Sequence, residues 1–90
     1  MRIVEIIKNS DNVIKTLMHD EIDDRYYLVS SIQNDYANET MVFECDEYGI
    51  VYQYLELLVT IPSNHEKIVR MMSDDDFHLD SEQVINVSEN

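Results

Sequence analysis

The sequence predicts an α+β fold, in which a small antiparallel sheet of three to four strands is packed by one or two short helices. Three observations support this prediction. Segments that alternate polar and apolar residues are typical of strands with one buried face. The only glycine, Gly49, follows Asp46-Glu47-Tyr48, which favours a type I turn closed by a glycine bulge. Pro62 ends the last alternating segment, and helix-starting residues follow it.

The N-terminal segment has two interpretations. Its apolar residues recur at helical spacing, which is typical of one amphipathic helix. Against this, Asn9 to Asn12 is a run of four residues that prefer caps and turns to helix interiors. The favoured interpretation is a strand from Arg2 to Lys8, a turn, and a short helix that is capped by Ser10 or Asp11 and runs to about His19.

The middle of the chain is predicted to form a three-stranded meander. His19 to Asp24 carries four acids in six residues and is expected to be an exposed loop. Arg25 to Gln33 is rich in β-branched and aromatic residues, as strands are. Thr40 to Cys45 is a half-buried strand, with Cys45 as a small buried side chain, and the Gly49 turn leads to a last strand, Ile50 to Ile61. The exposed face of this meander is expected to carry tyrosines and carboxylates together.

A helix is predicted after Pro62. Ser63 and Glu66 match a capping box, in which each side chain accepts a backbone N–H of the other residue. Helical spacing places an apolar stripe on the side that faces the sheet. The charged residues and His65 are expected to face water. The stripe consists of Ile68, Val69 and Met72, and the helix is expected to end near Ser73. Residues 1–73 are therefore one α+β domain, and residues 74–90 an acidic tail or a second small hairpin.

Charge is the most informative property of the composition. The chain of 90 residues has a formal net charge of −13, and no Lys or Arg occurs from Tyr26 to Glu66. Direct binding to nucleic acid needs a Lys/Arg patch, so it is not expected. An anionic surface favours a basic protein partner, such as a host nuclease or another nucleic-acid-binding protein, although acidity can also serve solubility alone. No apolar run is long enough for a membrane span, and a cytoplasmic location is expected.

No motif indicates an enzyme, a cofactor or a metal. Asp74, Asp76, His78, Asp80 and Glu82 alternate, but the segment lacks the glycine and the final glutamate of a calcium loop. Cys45 has no base near it in sequence. One glycine is too few for a glycine-rich phosphate loop. The sequence therefore predicts a non-catalytic protein without a cofactor or metal.

Tyrosines and carboxylates are the candidate contact residues. Tyrosine is a good interface anchor because it combines a large contact area with a polar tip, although tyrosines can also simply cover a thin core. Carboxylates spread over a rigid sheet can replace the phosphates of a duplex in a basic channel. The predicted partner-binding residues are Asp20, Glu21, Asp23, Asp24, Glu44, Asp46, Glu47, Tyr48, Tyr52, Tyr54, Glu56, Asp74, Asp75 and Asp76.

Three short segments carry a resemblance to known sequences. Tyr26 to Ser30, Glu39 to Phe43, and Asp46 to Gly49 followed by Val51 together resemble a pattern in small uncharacterised proteins of phages and related mobile elements. The resemblance covers residues 25–72 and implies no reaction and no catalytic residues. The loop near residue 20 and the tail after Ser73 depart from it. In size and acidity, though not in motif, the chain is similar to anti-CRISPR and anti-restriction proteins that mimic DNA.

Three functions are compatible with these features. The first is an inhibitor that occupies the basic nucleic-acid channel of a host defence nuclease. The second is a self-associating structural or adaptor module, with a homodimer formed through a strand edge or a tyrosine-bearing face. The third is an acidic antitoxin-like partner of a basic protein.

Overall fold

Four long antiparallel strands and one short helix dominate the part of the chain that the structure describes. The structure is a computed structural model and describes residues 1–33, 38–52, 59–61 and 64–77. The strands pair in chain order as one open sheet, and a three-residue fifth strand continues it. This confirms the predicted antiparallel α+β architecture in outline. The elements are β1 (Arg2–Ser10), β2 (Val13–Asp20), β3 (Arg25–Gln33), β4 (Asn38–Cys45), β5 (Val59–Ile61) and α1 (His65–Met72).

The helix predicted over residues 10–19 is wrong, because this segment is strand β2. It pairs along its whole length with β3, from Val13 opposite Ile32 to Asp20 opposite Arg25. β2 is covered on both faces, so its apolar residues do not alternate strictly and imitate helical spacing. The poor helix formers before it make the turn between β1 and β2, where Ser10 Oγ accepts the Asn12 N–H at 3.3 Å.

The sheet has a buried cluster on each face. On the face that carries α1, Met18, Tyr27, Val29 and Val42 pack with the helix residues. On the opposite face Leu17, Leu28 and Cys45 pack together with Tyr26 and Val51. The prediction that this segment is a half-buried strand is therefore wrong. Val42 is completely buried on one face of β4, and Cys45 is 1% exposed on the other.

The helix lies on the sheet through the predicted stripe, but its cap is different. Ile68 and Met72 are buried and Val69 is partly buried, which confirms the stripe. The N-cap is Asn64, whose Oδ1 accepts the Glu66 N–H at 2.9 Å. The N-cap predicted at Ser63 is therefore wrong, because the structure places the cap at Asn64, while Ser63 itself lies outside the described residues. The helix ends at the C-cap Ser73, as predicted.

The turn at Gly49 has the predicted geometry. The Gly49 N–H donates to the Asp46 carbonyl at 3.0 Å, and the Asp46 N–H donates to the Ile50 carbonyl at 3.0 Å. Gly49 has a φ of 82°, as the bulge position requires. The Asp46 carboxylate accepts the N–H groups of Tyr48 and Ile50, both at 2.9 Å. The turn is thus held by backbone and side-chain hydrogen bonds, and it lies over Leu17.

Replacement of Gly49 by alanine is expected to lower the free energy of unfolding by about 1 kcal/mol, because a Cβ at positive φ is strained. The new Cβ would lie 3.9 Å from Leu17 Cδ1, an ordinary contact, so the cost comes from the backbone alone. Urea denaturation measures this loss. Gly49→Asn is the control, since asparagine tolerates the left-handed region, and it should recover part of the loss. Equal losses in both variants would contradict this explanation.

Three parts of the prediction fall outside the described residues or remain untested. The predicted strand over residues 50–61 is described only at its two ends, where Val51 bridges to Cys45 and β5 pairs with β4. Residues 78–90, which include the possible second hairpin, lie outside the described part of the chain. The domain boundary at residue 73 therefore stays a prediction. In the described ranges, no helix is long and apolar enough to cross a membrane.

Candidate partner-binding site

The strand order brings most predicted contact residues to one end of the sheet. β2 ends at Asp20, β3 begins opposite it at Arg25, and β4 ends at Cys45 opposite Tyr26. The chain after α1 returns to the same end, because Asp75 and Asp76 line a cleft with Asp20. We call this set of carboxylates the acidic end. It consists of Asp20, Glu21, Asp23, Asp24, Glu44, Asp46, Glu47, Asp74, Asp75 and Asp76.

A first cleft at the acidic end lies between the start of β1 and the residues after α1. Its volume is about 640 Å³. Four carboxylates and one guanidinium line it, together with apolar side chains. The Met1 ammonium group donates to the Met72 carbonyl at 3.1 Å and so ties the N-terminus to the end of α1. The lining residues are Met1, Arg2, Ile3, Asp20, Glu21, Ile22, Ser73, Asp75, Asp76 and Phe77.

A second, smaller cleft of about 310 Å³ lies between the start of β3 and the Gly49 turn. Acidic and aromatic side chains line it side by side, which is the combination expected for contact with Lys and Arg side chains. Tyr26 stacks on the His19 ring with the ring centroids 4.3 Å apart. Its lining residues are Asp24, Arg25, Tyr26, Glu44, Cys45, Asp46, Glu47 and Tyr52.

Some carboxylates of the acidic end serve the fold itself. Asp20 is buried, and its Oδ1 accepts the N–H groups of Ile22 and Asp23 at 3.0 and 3.4 Å. Asp46 closes the Gly49 turn, as described above. Asp74 Oδ1 accepts the Asp76 N–H at 2.9 Å. These carboxylates fix loop conformations, and they add negative charge at the same time.

Other carboxylates point outward with weaker or no internal partners. Glu21 pairs with Arg2 at 3.1 Å, and both side chains are largely exposed. Asp24 accepts from His19 Nε2 at 2.9 Å, and Glu44 lies 4.0 Å from Arg25. The exposed ion pair between Arg2 and Glu21 contributes little to stability and can exchange for a partner's charges. The Glu44 side chain, by contrast, is only 20% exposed. Within the described ranges, no ion pair involves the three exposed acids Glu47, Asp75 and Asp76.

Two of the three tyrosines predicted as contacts lie in the described part of the chain. Tyr48 and Tyr52 are exposed beside the acidic residues of the Gly49 turn. Tyr27, which belongs to the same meander, is buried in the core. Tyr54, together with the predicted contact Glu56, lies outside the described residues. The exposed tyrosines therefore border the second cleft and the turn.

A buried hydrogen-bond network under α1 is not foreseen in the sequence. His65, predicted to face water, is buried. Its Nε2 is hydrogen-bonded to Thr16 Oγ1 at 2.8 Å and its Nδ1 to Ser31 Oγ at 2.5 Å. Ser31 Oγ is hydrogen-bonded in turn to Thr40 Oγ1 at 2.8 Å. The network joins the first turn of α1 to the three central strands.

The network satisfies polar groups in the core. A hydroxyl can donate or accept, so neutral His65 is satisfied in either tautomer. A threonine bonded to a histidine nitrogen also has the arrangement of a nucleophile and its base, but the Thr16 side chain is only 2% exposed. The one available signal in the sequence was that Thr16 and Ser31 stand two residues from the apolar Met18 and Val29, on the same face of their strands. This pattern does not distinguish a hydroxyl on a buried face from one on an exposed face.

Cys45 is buried, as predicted. Burial, with smaller contributions from Asp46 and Glu44, raises the pKa of its thiol to about 12. A thiol with so high a pKa has almost no thiolate at neutral pH and is a poor nucleophile. In the described part of the chain, no group of three or more His, Cys, Asp or Glu side chains is arranged to hold a metal ion.

The acidic end thus defines a site suited to cationic protein groups. Comparison with known proteins adds no further assignment, since no family model, curated protein or solved structure matches this chain.

Proposed function

We propose that this protein is a non-catalytic acidic interaction protein, of the type that phages encode, whose acidic end binds the basic nucleic-acid-binding surface of a host nuclease. The observation that supports this is the convergence of carboxylates from separate segments, Asp20 to Asp24, Glu44 to Glu47 and Asp74 to Asp76, at one end of the sheet. Among the described residues that line the two clefts, the positive groups that offset these carboxylates are Arg2, Arg25 and the N-terminal ammonium group.

The arrangement provides both electrostatic attraction and a rigid contact surface. Negative charge concentrated at one end speeds association with a basic partner. The carboxylates of Asp20, Asp46 and Asp74 accept hydrogen bonds from backbone N–H groups and hold the loops in place before binding. Little conformational freedom is therefore lost in the complex. Tyr48 and Tyr52 supply apolar contact area next to the charges.

The experiment is a competition assay with purified nucleases that have basic DNA channels. Each nuclease cleaves a labelled DNA duplex with and without this protein. A target nuclease is expected to be inhibited in competition with the duplex, and its affinity for the protein should fall steeply as salt concentration rises. A complex that forms without competing with DNA would contradict the proposal.

Reversal of two outward carboxylates is expected to weaken a target complex at least about tenfold, since two charge contacts become repulsive. The variant is Glu47→Lys with Asp75→Lys. The matched control is Asp11→Lys with Glu39→Lys, which reaches the same net charge at the opposite end of the sheet. Binding is measured by titration calorimetry at fixed salt. Equal weakening by both variants would mean that overall charge, and not the acidic end, determines affinity.

A further inference from the structure

Strand β1 is an exposed edge of the sheet in the part of the chain that the structure describes. Its nine residues pair with β2 on one side. Every residue of β1 except Ile7 is exposed, including the large apolar residues Ile3, Val4 and Ile6. A strand edge offers backbone N–H and C=O groups to another strand, and apolar side chains on it strengthen such pairing.

An apolar groove beside β1 is a second, separate feature. It lies between β1 and α1 and has a volume of about 630 Å³. Ile3 and Ile6 form one wall, Ile14 part of the floor and Val69 the helix side. The exposed side chains of the edge strand therefore continue into a larger apolar surface on the helix face of the sheet.

The charge distribution favours a second copy of this chain as the partner that covers the β1 edge and the groove beside it. Residues 1–19 carry a net charge of +1 and the rest of the chain −14, which gives the total of −13. Two copies repel each other wherever their carboxylates meet. β1 contains a single acid, Glu5, against Arg2 and Lys8, so it is the part of the described surface where two copies can approach most closely.

We propose that β1 pairs antiparallel with β1 of a second copy of this chain, across a two-fold axis at Ile6. Ile6 is the midpoint of Arg2–Ser10, so this register centres the pairing on the strand. It places Ile6 of one copy opposite Ile6 of the other on the helix face. A register centred on Glu5 would place two like charges opposite each other, which is destabilising.

The resulting dimer separates the repelling charges. A two-fold axis normal to the sheet reverses the strand direction, so the two acidic ends lie at opposite ends of one continuous sheet. Both α1 helices lie on the same face, and the two apolar grooves join along the line of Ile3 and Ile6. The dimer thus presents two acidic ends, one for each of two basic partners or for two sites on one partner.

Irregularities in β1 restrict regular pairing to the middle of the strand, which includes Ile6. The pairing with β2 shifts between Ile3 and Glu5 and again between Lys8 and Ser10, which leaves Glu5 to Lys8 as the regular window. Bulges and charged residues on an edge suppress unspecific strand pairing. Among the described residues, the opposite edge of the sheet is β5, Val59–Ile61.

The test is sedimentation equilibrium of the full chain over a wide range of concentrations. The unaltered chain is expected to dimerise, and Ile6→Glu to raise the dissociation constant by at least about 100-fold, because two carboxylates then meet on the axis. The matched control is Ile50→Glu, since Ile50 is 65% exposed and Ile6 64%. Ile50 lies in the Gly49 turn, and its variant should dimerise like the unaltered chain.

A mixing experiment tests the register. Ile6→Glu and Ile6→Lys are each expected to be monomeric, and an equimolar mixture should form heterodimers because opposite charges meet on the axis. If circular dichroism shows that either variant does not fold, Ile6→Thr replaces that variant, because threonine keeps a β-branched residue in the strand.

A monomeric unaltered chain would overturn the proposal. Failure of the mixture to dimerise would also overturn the proposal.

Discussion

Replacement of Ile68 by alanine is expected to lower the free energy of unfolding by about 2–5 kcal/mol, the range for large buried aliphatic residues. Ile68 is completely buried and lies in the cluster that joins α1 to the sheet. α1 is the one helix in the described part of the chain and covers Met18, Tyr27, Val29 and Val42. A cavity at Ile68 therefore weakens the main contact between the helix and the sheet.

Urea denaturation followed by circular dichroism measures this loss. The matched control is Ile22→Ala, which removes the same atoms from a side chain that is 88% exposed in the loop before β3. The control should change the free energy of unfolding by less than about 0.5 kcal/mol. Comparable losses in the two variants would contradict the packing of α1 on this face of the sheet.

The hydrogen-bond network around His65 is expected to make the protein less stable in mild acid. Burial lowers the pKa of His65 from its ordinary value of 6.5, and the nearby Glu66 carboxylate only partly opposes this effect. The unfolded chain therefore binds a proton at a higher pH than the folded one. The stability due to neutral His65 is complete above about pH 6.5 and is lost as the pH falls through the lower pKa of the folded state.

The measurement is the free energy of unfolding of the unaltered chain and of His65→Gln as a function of pH. The unaltered chain should lose up to about 1.4 kcal/mol more than His65→Gln for each pH unit in this window, the limit for one proton. At neutral pH His65→Gln should itself be less stable by about 1–3 kcal/mol, because a buried hydroxyl loses its partner.

The variant Ser31→Ala distinguishes two effects on stability, the loss of the hydrogen-bond network and the loss of the titrating His65 ring. It removes the Ser31 hydroxyl between His65 and Thr40 but keeps the imidazole. It should therefore lower stability at neutral pH while keeping the pH dependence. If the His65→Gln curve ran parallel to that of the unaltered chain, protonation of His65 would not be the cause of acid sensitivity.

Local sequence patterns predicted a segment's structure correctly where packing against other segments did not change the expected residue pattern. The Gly49 turn follows from Asp46 and Gly49 alone, because each supplies a conformation or hydrogen bond that the turn needs. β3 was evident from its β-branched and aromatic residues. The apolar stripe of α1 was correct for the same reason, since helical spacing decides which residues share a face.

Local patterns failed where packing on both faces of the sheet removed the usual alternation. β2 carries apolar residues toward α1 and toward the Gly49 turn, so its sequence imitates a helix. His65 follows Asn64 at the start of a polar segment, and nothing nearby indicates burial. It is buried because Thr16 and Ser31, from two other strands, supply hydrogen-bond partners under the first turn of α1.

The candidate site divides in the same way. The sequence alone identified each acidic residue of the acidic end, because formal charge is a property of the individual residue. Their convergence at one end of the sheet depends on the strand order, which only the tertiary structure provides. The structure likewise decided that Asp20 is buried and that Glu47 and Asp75 point outward.

The sequence by itself determined strand β3, the turn at Gly49 and the excess of negative charge, because these depend on residue type and short-range spacing. Tertiary structure decided which faces are buried, where His65 lies and how separate acidic segments combine. These depend on contacts between residues far apart in the chain, and no local pattern specifies such contacts.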